Sequence, residues 1–203
     1  MERKKGVTLV LASTSPFRRA ILENAGLTFE AVGANIDERA AEKPLLETGA
    51  DAEDIASLLA EAKALDVSAR RAGALVIGGD QTLSMNGEIF HKAANFDEAR
   101  RRLIAMAGKT HQLNSALCLV RDGQTLWRHM TVVNMKMRNY SPAFVGRYLA
   151  QAGETLLKSV GIYQIEGIGI QLLEQMDGDY FSVIGLPLLP LLDQLRQMEA
   201  IDG

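Results

Sequence analysis

Cysteine is almost absent from this chain of 203 residues, which contains only Cys118. No disulfide can therefore form within the chain. Cys118 lies in the apolar run of residues 116–120, which predicts a buried core thiol in a reducing, cytoplasmic environment. A reactive nucleophile is the alternative that this apolar setting disfavours.

Long apolar runs are also missing, since no run is long enough to span a bilayer. The basic residues 1–5 are not followed by the apolar core of a signal peptide, so we expect no membrane partner. The net charge of −3 argues against a general nucleic-acid binder. The three histidines, His91, His111 and His129, lack the spacing of zinc ligands, and no zinc site is predicted.

Hydrophobic residues nevertheless make up 47% of the chain, as a packed protein requires. The length suffices for one large domain or for two small lobes that share a core. No repeat, low-complexity segment or long linker divides the sequence. We therefore expect a single domain over residues 1–203.

Residues 11–19, LASTSPFRR, combine hydroxyl groups and arginines at a predicted helix start. Ser15 can cap the helix, and Pro16 suits its first position because the missing N–H is not needed there. Free N–H groups attract an anion, and Arg18 and Arg19 add donors. A phosphate-binding turn and an ordinary capped surface helix both remain open at this point.

Charged residues in the next segment could serve a site or could simply be solvated. Asp37 and Glu38 follow a short β-prone run and could hold a hard cation such as magnesium, although solvated loop carboxylates are commoner. Asp51 opens a helix, and Lys63 lies at the edge of its apolar stripe. A lysine at such an edge usually extends to solvent.

Residues 74–82 predict a second buried strand, with two glycines and then Asp80 at its carboxyl end. Ligands gather at that edge in open α/β sheets. An aspartate there can bind a metal or accept a proton from water. Many strands end in Gly and Asp merely to turn, so this signal is weak by itself.

Asn86 and Gly87 predict a tight hairpin turn after this strand. An ideal two-residue hairpin would place Lys92 opposite Gln81, on the sheet face away from Asp80. Asp80 and Lys92 can share one site only if the strand ends flare.

The remaining patterns predict structural elements. Three neighbouring arginines, 100–102, favour a solvated helix face, and an apolar terminal helix could cover the core or form a homodimer contact. The predicted elements are a helix from Asn95, strands over 112–120 and 125–137, a helix from Ser141, a glycine-rich loop over 161–169, a short strand over 180–185 and a terminal helix from Leu186.

Several motifs occur in the order and spacing found in one family. Over nearly the whole chain, the sequence resembles the Maf-like nucleotide pyrophosphatases. The motifs are residues 13–18 (STSPFR), Glu38, residues 62–64 (AKA), residues 79–81 (GDQ), Lys92, the glycine-rich run to Gly169 and residues 178–187 (GDYFSVIGLP).

The resemblance implies an α/β protein with a long twisted mixed sheet, flanking helices and a cleft between two lobes. It also implies hydrolysis of a nucleoside triphosphate to the monophosphate and pyrophosphate, with a divalent cation, usually Mg²⁺. The implied roles are phosphate binding by Ser13, Ser15 and Arg18, charge neutralisation by Lys63 and Lys92, water activation by Asp80, and contact with metal or water by Glu38.

Three departures from the commonest family pattern resemble the branch that hydrolyses 7-methyl-GTP: Phe17, Gln81 and Glu166. A carboxylate suits that base, because N7 methylation makes the purine cationic while its N1–H and N2–H₂ edge still donates. Glu166 would accept from this edge and Phe17 would pack nearby. The family is also linked to inhibition of septum formation, so a nucleotide-binding regulator is the alternative, and a monoester phosphatase is a third possibility.

Overall fold

A seven-stranded mixed sheet organises the computed structural model, which describes residues 7–202. The predicted absence of a signal peptide concerns residues 1–5, outside this range. The strands are β1 Leu9–Leu11, β2 Glu30–Ala31, β3 Leu75–Met85, β4 Glu88–Phe90, β5 Thr110–Arg121, β6 Gln124–Met137 and β7 Leu173–Asp177. The helices are α1 Pro16–Asn24, α2 Glu38–Glu47, α3 Ala52–Ser68, α4 Phe96–Met106, α5 Pro142–Ala152, α6 Tyr180–Ile184 and α7 Leu188–Gln197, with 3-10 turns at Glu154–Lys158 and Ile168–Leu172.

The strand order is β2-β1-β3-β5-β6-β7, and β4 pairs with β3 outside this path. β1 runs parallel to β2 and β3, whereas all other neighbouring strands are antiparallel. The predicted α/β class, with a mixed sheet flanked by helices, is confirmed. None of the helices within residues 7–202 is long and apolar enough to cross a membrane.

The core is divided among three apolar clusters around this sheet. One contains α1, α7 and β1, where Leu188, Leu191 and Leu195 are buried, so the terminal helix covers the core. A second packs α3 against β3 and β5 and includes Cys118, whose thiol pKa is raised to about 12 by burial. The third lies beneath α4 and α5. The prediction of Cys118 as a core thiol is confirmed.

Strand β3 continues through Asp80, although the sequence predicted that a strand would end there. β1 stops opposite Ile77, but β5 pairs with β3 from Val76 to Ser84 and carries the strand onward. The first of the two glycines has a packing role: a Cβ on Gly78 would lie 2.3 Å from the Ala60 carbonyl oxygen of α3. Close approach of α3 to β3 therefore requires glycine at this position.

The predicted hairpin forms, with Asn86 at φ 55° and Gly87 at φ 82°. Pairing between β3 and β4 extends only from Met85↔Glu88 to Leu83↔Phe90. Lys92 leaves the ladder before it could face Gln81, which removes the geometric conflict raised by an ideal hairpin.

Three sequence interpretations are wrong. Asp37 and Glu38 are not loop residues: Asp37 caps α2, which contains Pro44, and Glu38 is its first residue. Residues 180–184 form helix α6, not a strand, because the Asp179 carboxylate accepts from the Ser182 N–H at 2.7 Å. Arg102 is largely buried, so the arginines of α4 are not uniformly solvated.

Candidate active site

A cavity of about 640 Å³ lies where α1, α2, α3 and β3 meet the segment after β4 and the loop over 158–166. It collects every site residue that the family resemblance implies. These residues are Ser13, Ser15, Phe17, Arg18, Glu38, Lys63, Asp80, Gln81, Lys92 and Glu166.

Lys63 joins carboxylates from two other elements. Its Nζ lies 2.6 Å from Asp80 Oδ1 on β3 and 2.9 Å from Glu38 Oε1 at the start of α2. The side chains of Lys63 and Asp80 are 11% and 10% exposed, whereas that of Glu38 is 52% exposed. Lys63 therefore does not extend to solvent, and a partly exposed carboxylate and a buried one share its charge.

The turn before α1 holds Arg18 against the same site. Ser15 caps the helix by accepting from the Arg18 N–H at 3.4 Å, and Ser13 Oγ accepts from the Ser15 N–H at 3.1 Å. The Arg18 guanidinium donates from Nε to the Gly185 carbonyl at 2.7 Å. Burial lowers the pKa of Arg18, while the nearby Asp80 and Glu38 charges oppose that shift.

The two arginines of this turn have different environments. Arg18 lies over Gly79, where a Cβ would stand 3.3 Å from its Nε. Arg19 instead forms an exposed pair with Glu23 on the same helix. Only Arg18 lines the cavity, so the anion-binding interpretation concerns one arginine of the two.

Gln81 uses its amide nitrogen to hold the sheet against α6. Nε2 donates to Ser115 Oγ at 2.8 Å, to the Ser182 carbonyl at 2.9 Å and to the Val183 carbonyl at 3.1 Å. A substrate contact predicted for Gln81 would therefore have to use its carbonyl oxygen.

Lys92 and Glu166 are exposed residues on two separate segments of the cavity wall. Neither forms an ion pair with any residue between 7 and 202. Both charges are available to a ligand.

The arrangement suits a polyanion and a hydrolytic reaction. Five cationic side chains line the cavity, and the buried Asp80 carboxylate lies among them; the cations are Arg18, Arg39, Lys63, Lys92 and Lys158. Positioned cations stabilise phosphoryl charge, and a carboxylate can accept a proton from water.

Comparison with known proteins identifies the family. The sequence model of the family described as Maf-like protein matches residues 8–198 of this chain. The chain belongs to the Maf-like protein family. The resemblance predicted from the motifs is thereby confirmed.

The similar Maf-like proteins include named enzymes. A 7-methyl-GTP pyrophosphatase of Brucella suis is 59% identical over 197 residues, covering 97% of this chain and 99% of that protein. One of Mesorhizobium japonicum is 60% identical over 195 residues, covering 96% and 98%. A nucleoside triphosphate pyrophosphatase of Caulobacter vibrioides is 48% identical over 188 residues, covering 93% and 94%. The similarity to the 7-methyl-GTP branch, inferred from Phe17, Gln81 and Glu166, is likewise confirmed.

Sequence reasoning missed several charged or titratable residues of this Maf-like cavity, namely Arg39, Glu42, His91 and Lys158. Glu42 is buried on α2, one turn after Glu38, and its Oε1 lies 3.3 Å from Arg39 Nη1 and 3.6 Å from His91 Nε2. Burial lowers the pKa of His91, Glu42 opposes this, and Arg39 and Arg102 reinforce it. Recognition of α2 as a helix would have placed Glu38 and Glu42 on one face.

We predict that Lys63→Met lowers the free energy of unfolding by about 3 kcal/mol, because a buried carboxylate without its partner is strongly destabilising. Urea unfolding at neutral pH measures the change. Adding Asp80→Asn should restore part of the loss, since it removes the unpaired charge.

Arg19→Met is the matched control, because the Arg19 and Glu23 side chains are 60% and 51% exposed. Its cost should stay below about 1 kcal/mol, as is usual for exposed pairs. Equal losses for Lys63→Met and Arg19→Met would contradict the importance of the buried pair.

Proposed function

We propose that this protein hydrolyses a nucleoside triphosphate to the nucleoside monophosphate and pyrophosphate, with 7-methyl-GTP as the preferred substrate. One observation carries the proposal: the Lys63-bound Asp80 carboxylate lies within a cation-lined cavity large enough for a nucleotide. The near full-length similarity to proteins named 7-methyl-GTP pyrophosphatase supports the reaction and the base.

In this mechanism Asp80 accepts a proton from the attacking water. The water oxygen bonds to the α-phosphorus, the bond from that phosphorus to the bridging oxygen breaks, and its electron pair leaves with pyrophosphate. Lys63 binds Oδ1 of Asp80, so the second carboxylate oxygen takes the proton. This chemistry depends mainly on positioning and charge stabilisation, and it requires no nucleophile from the protein.

The phosphates are bound by the turn before α1 and by the cations of the cavity. Ser13 and Ser15 contribute hydroxyl groups and Arg18 a guanidinium, while Lys63 and Lys92 neutralise the charge that passes to the leaving pyrophosphate.

A divalent cation completes the phosphate site in this proposal, and we propose Mg²⁺ held by Glu38. Within residues 7–202, no cluster of three or more His, Cys, Asp or Glu side chains could hold a metal alone. The partly exposed Glu38 nevertheless fits Mg²⁺, which is commonly bound by one or two carboxylates together with substrate phosphates. When bound, the cation supplies further neutralisation of phosphate charge.

We assign the nucleobase to Glu166 and Phe17, both of which line the cavity. The Glu166 carboxylate would accept hydrogen bonds from the N1–H and N2–H₂ edge of the methylated guanine. Its negative charge also complements the cationic ring.

A purely regulatory nucleotide-binding role is not favoured, because a sensor has no use for a carboxylate base among phosphate ligands. The proposed substrate is a small molecule, so the reaction involves neither nucleic acid nor a membrane. The thiol of Cys118, whose pKa is raised by burial, fits a reducing cytoplasm. A homodimer remains a prediction.

Asp80→Asn should keep the fold and reduce turnover by about 100- to 10,000-fold, the usual contribution of a general base. A nucleotide panel with Mg²⁺ tests this through direct detection of pyrophosphate. Asp97→Asn, at an exposed position of α4, is the control and should retain full activity. Normal turnover by Asp80→Asn would remove this residue from the mechanism, and release of orthophosphate alone would indicate a monoester phosphatase.

Glu166→Gln should lower the preference for 7-methyl-GTP over UTP by about tenfold or more, because it removes a charged acceptor for the guanine edge. The ratio of kcat/KM values for the two nucleotides measures the effect. Glu174→Gln, at an exposed position of β7, should leave that ratio unchanged. If Glu166→Gln also leaves it unchanged, Glu166 does not recognise the base.

A further inference from the structure

Three consecutive arginines of α4 have different surroundings. Arg100 and Arg101 are exposed, whereas the Arg102 side chain is only 9% exposed. A guanidinium taken from water requires several hydrogen-bond acceptors. Arg102 finds them in three different parts of the chain.

The contacts of Arg102 connect the segment after β4 to the loop that follows α5. Nη1 donates to the carbonyl oxygen of His91 and, at 3.4 Å, to that of Val160. Nη2 donates to Glu98 Oε1 at 2.7 Å within α4. The guanidinium carbon also lies 5.3 Å from the centre of the Phe90 ring.

Both connected segments belong to the cavity wall. His91 immediately precedes Lys92, and Val160 lies six residues before Glu166 in a loop whose residues line the same cavity. Arg102 itself does not line the cavity. Its hydrogen bonds therefore reach the site through the backbone of these two segments.

The positions of Lys92 and Glu166 depend on such backbone contacts, because neither side chain has an ion pair within the described residues 7–202. Other contacts hold the rest of the loop. The Tyr148 hydroxyl donates to the Ile162 carbonyl oxygen at 2.9 Å, and the Tyr163 hydroxyl is hydrogen-bonded to His111 Nε2 at 2.7 Å. None of these contacts reaches the Lys92 segment. Arg102 makes that connection.

We propose that Arg102 is a positioning residue that fixes the separation between Lys92 at the phosphate end of the cavity and Glu166 at the nucleobase end. This inference rests on the function proposed above. The planar guanidinium is suited to the task because its fork of N–H groups serves several acceptors at once, which a lysine ammonium at the same site cannot reproduce.

The test compares Arg102→Met and Arg102→Lys with Arg100→Met and Arg100→Lys. Hydrogen exchange of backbone amides is measured over the whole chain in the absence of nucleotide. Arg102→Met should raise exchange about tenfold or more in residues 91–93 and in residues 159–166 together. The Arg100 variants should exchange like the unsubstituted protein.

Kinetics with 7-methyl-GTP and UTP provide the second readout. Arg102→Met should raise KM for 7-methyl-GTP about tenfold, with a smaller decrease in kcat, since Asp80 and Lys63 keep their contacts. The ratio of kcat/KM for 7-methyl-GTP to kcat/KM for UTP should fall, because Glu166 is no longer held at a fixed distance from Lys92. If Arg102→Met does not fold, Arg102→Lys should show the same changes in a weaker form.

Increased exchange spread evenly over the chain, or confined to α4, would overturn the proposal by showing a merely structural arginine. A decrease in kcat with unchanged KM would also overturn it. If the unsubstituted protein releases no pyrophosphate from any nucleotide, the proposed function fails, while coupled exchange of the two segments would still establish the connection made by Arg102.

Discussion

The candidate active site depends on the ammonium group of Lys63, which binds a carboxylate from β3 and another from α2. Burying the charges of Lys63 and Asp80 costs solvation free energy, and only close pairing offsets that cost. The pairing requires α3 to lie against β3. Gly78 permits this close approach, because a side chain at this position would clash with the Ala60 carbonyl oxygen. The chemistry of the cavity therefore depends on the close packing of α3 against β3 at Gly78.

In the proposed function, the residues of the chemical step and the residue that recognises the base lie on different kinds of segment. Asp80, Lys63 and Arg18 stand on the sheet and on helices that pack against it, and their side chains contact one another or nearby carbonyls. Lys92 and Glu166 lie on connecting segments that Arg102 joins. In the proposed function, the base contact of Glu166 and the phosphate contact of Lys92 therefore depend on how these two connecting segments are held.

Features set by local interactions could be predicted from the sequence. Ser15, Asp51 and Asn95 cap helices with their side chains, and Asn86 with Gly87 forms the hairpin turn. Helix α2 was missed because Pro44 argues against a helix, and α6 because its apolar run also suits a strand. The burial of Lys63, Glu42 and Arg102 involves Asp80, His91 and Val160, which lie between 17 and 58 positions away and which no local pattern specifies. Ten residues that line the cavity were predictable from family motifs, but Glu42, His91 and the ion pairs of the cavity were not.

The most direct test of the central claim is a single turnover in ¹⁸O-labelled water, with protein in excess over 7-methyl-GTP. If Asp80 activates water for attack on the α-phosphorus, the first turnover places ¹⁸O in the nucleoside monophosphate and none in pyrophosphate. Label in pyrophosphate would contradict this account by showing attack at the β-phosphorus. A first turnover that labels neither product would also contradict it, because the new oxygen of the monophosphate would then come from a carboxylate of the protein acting as nucleophile.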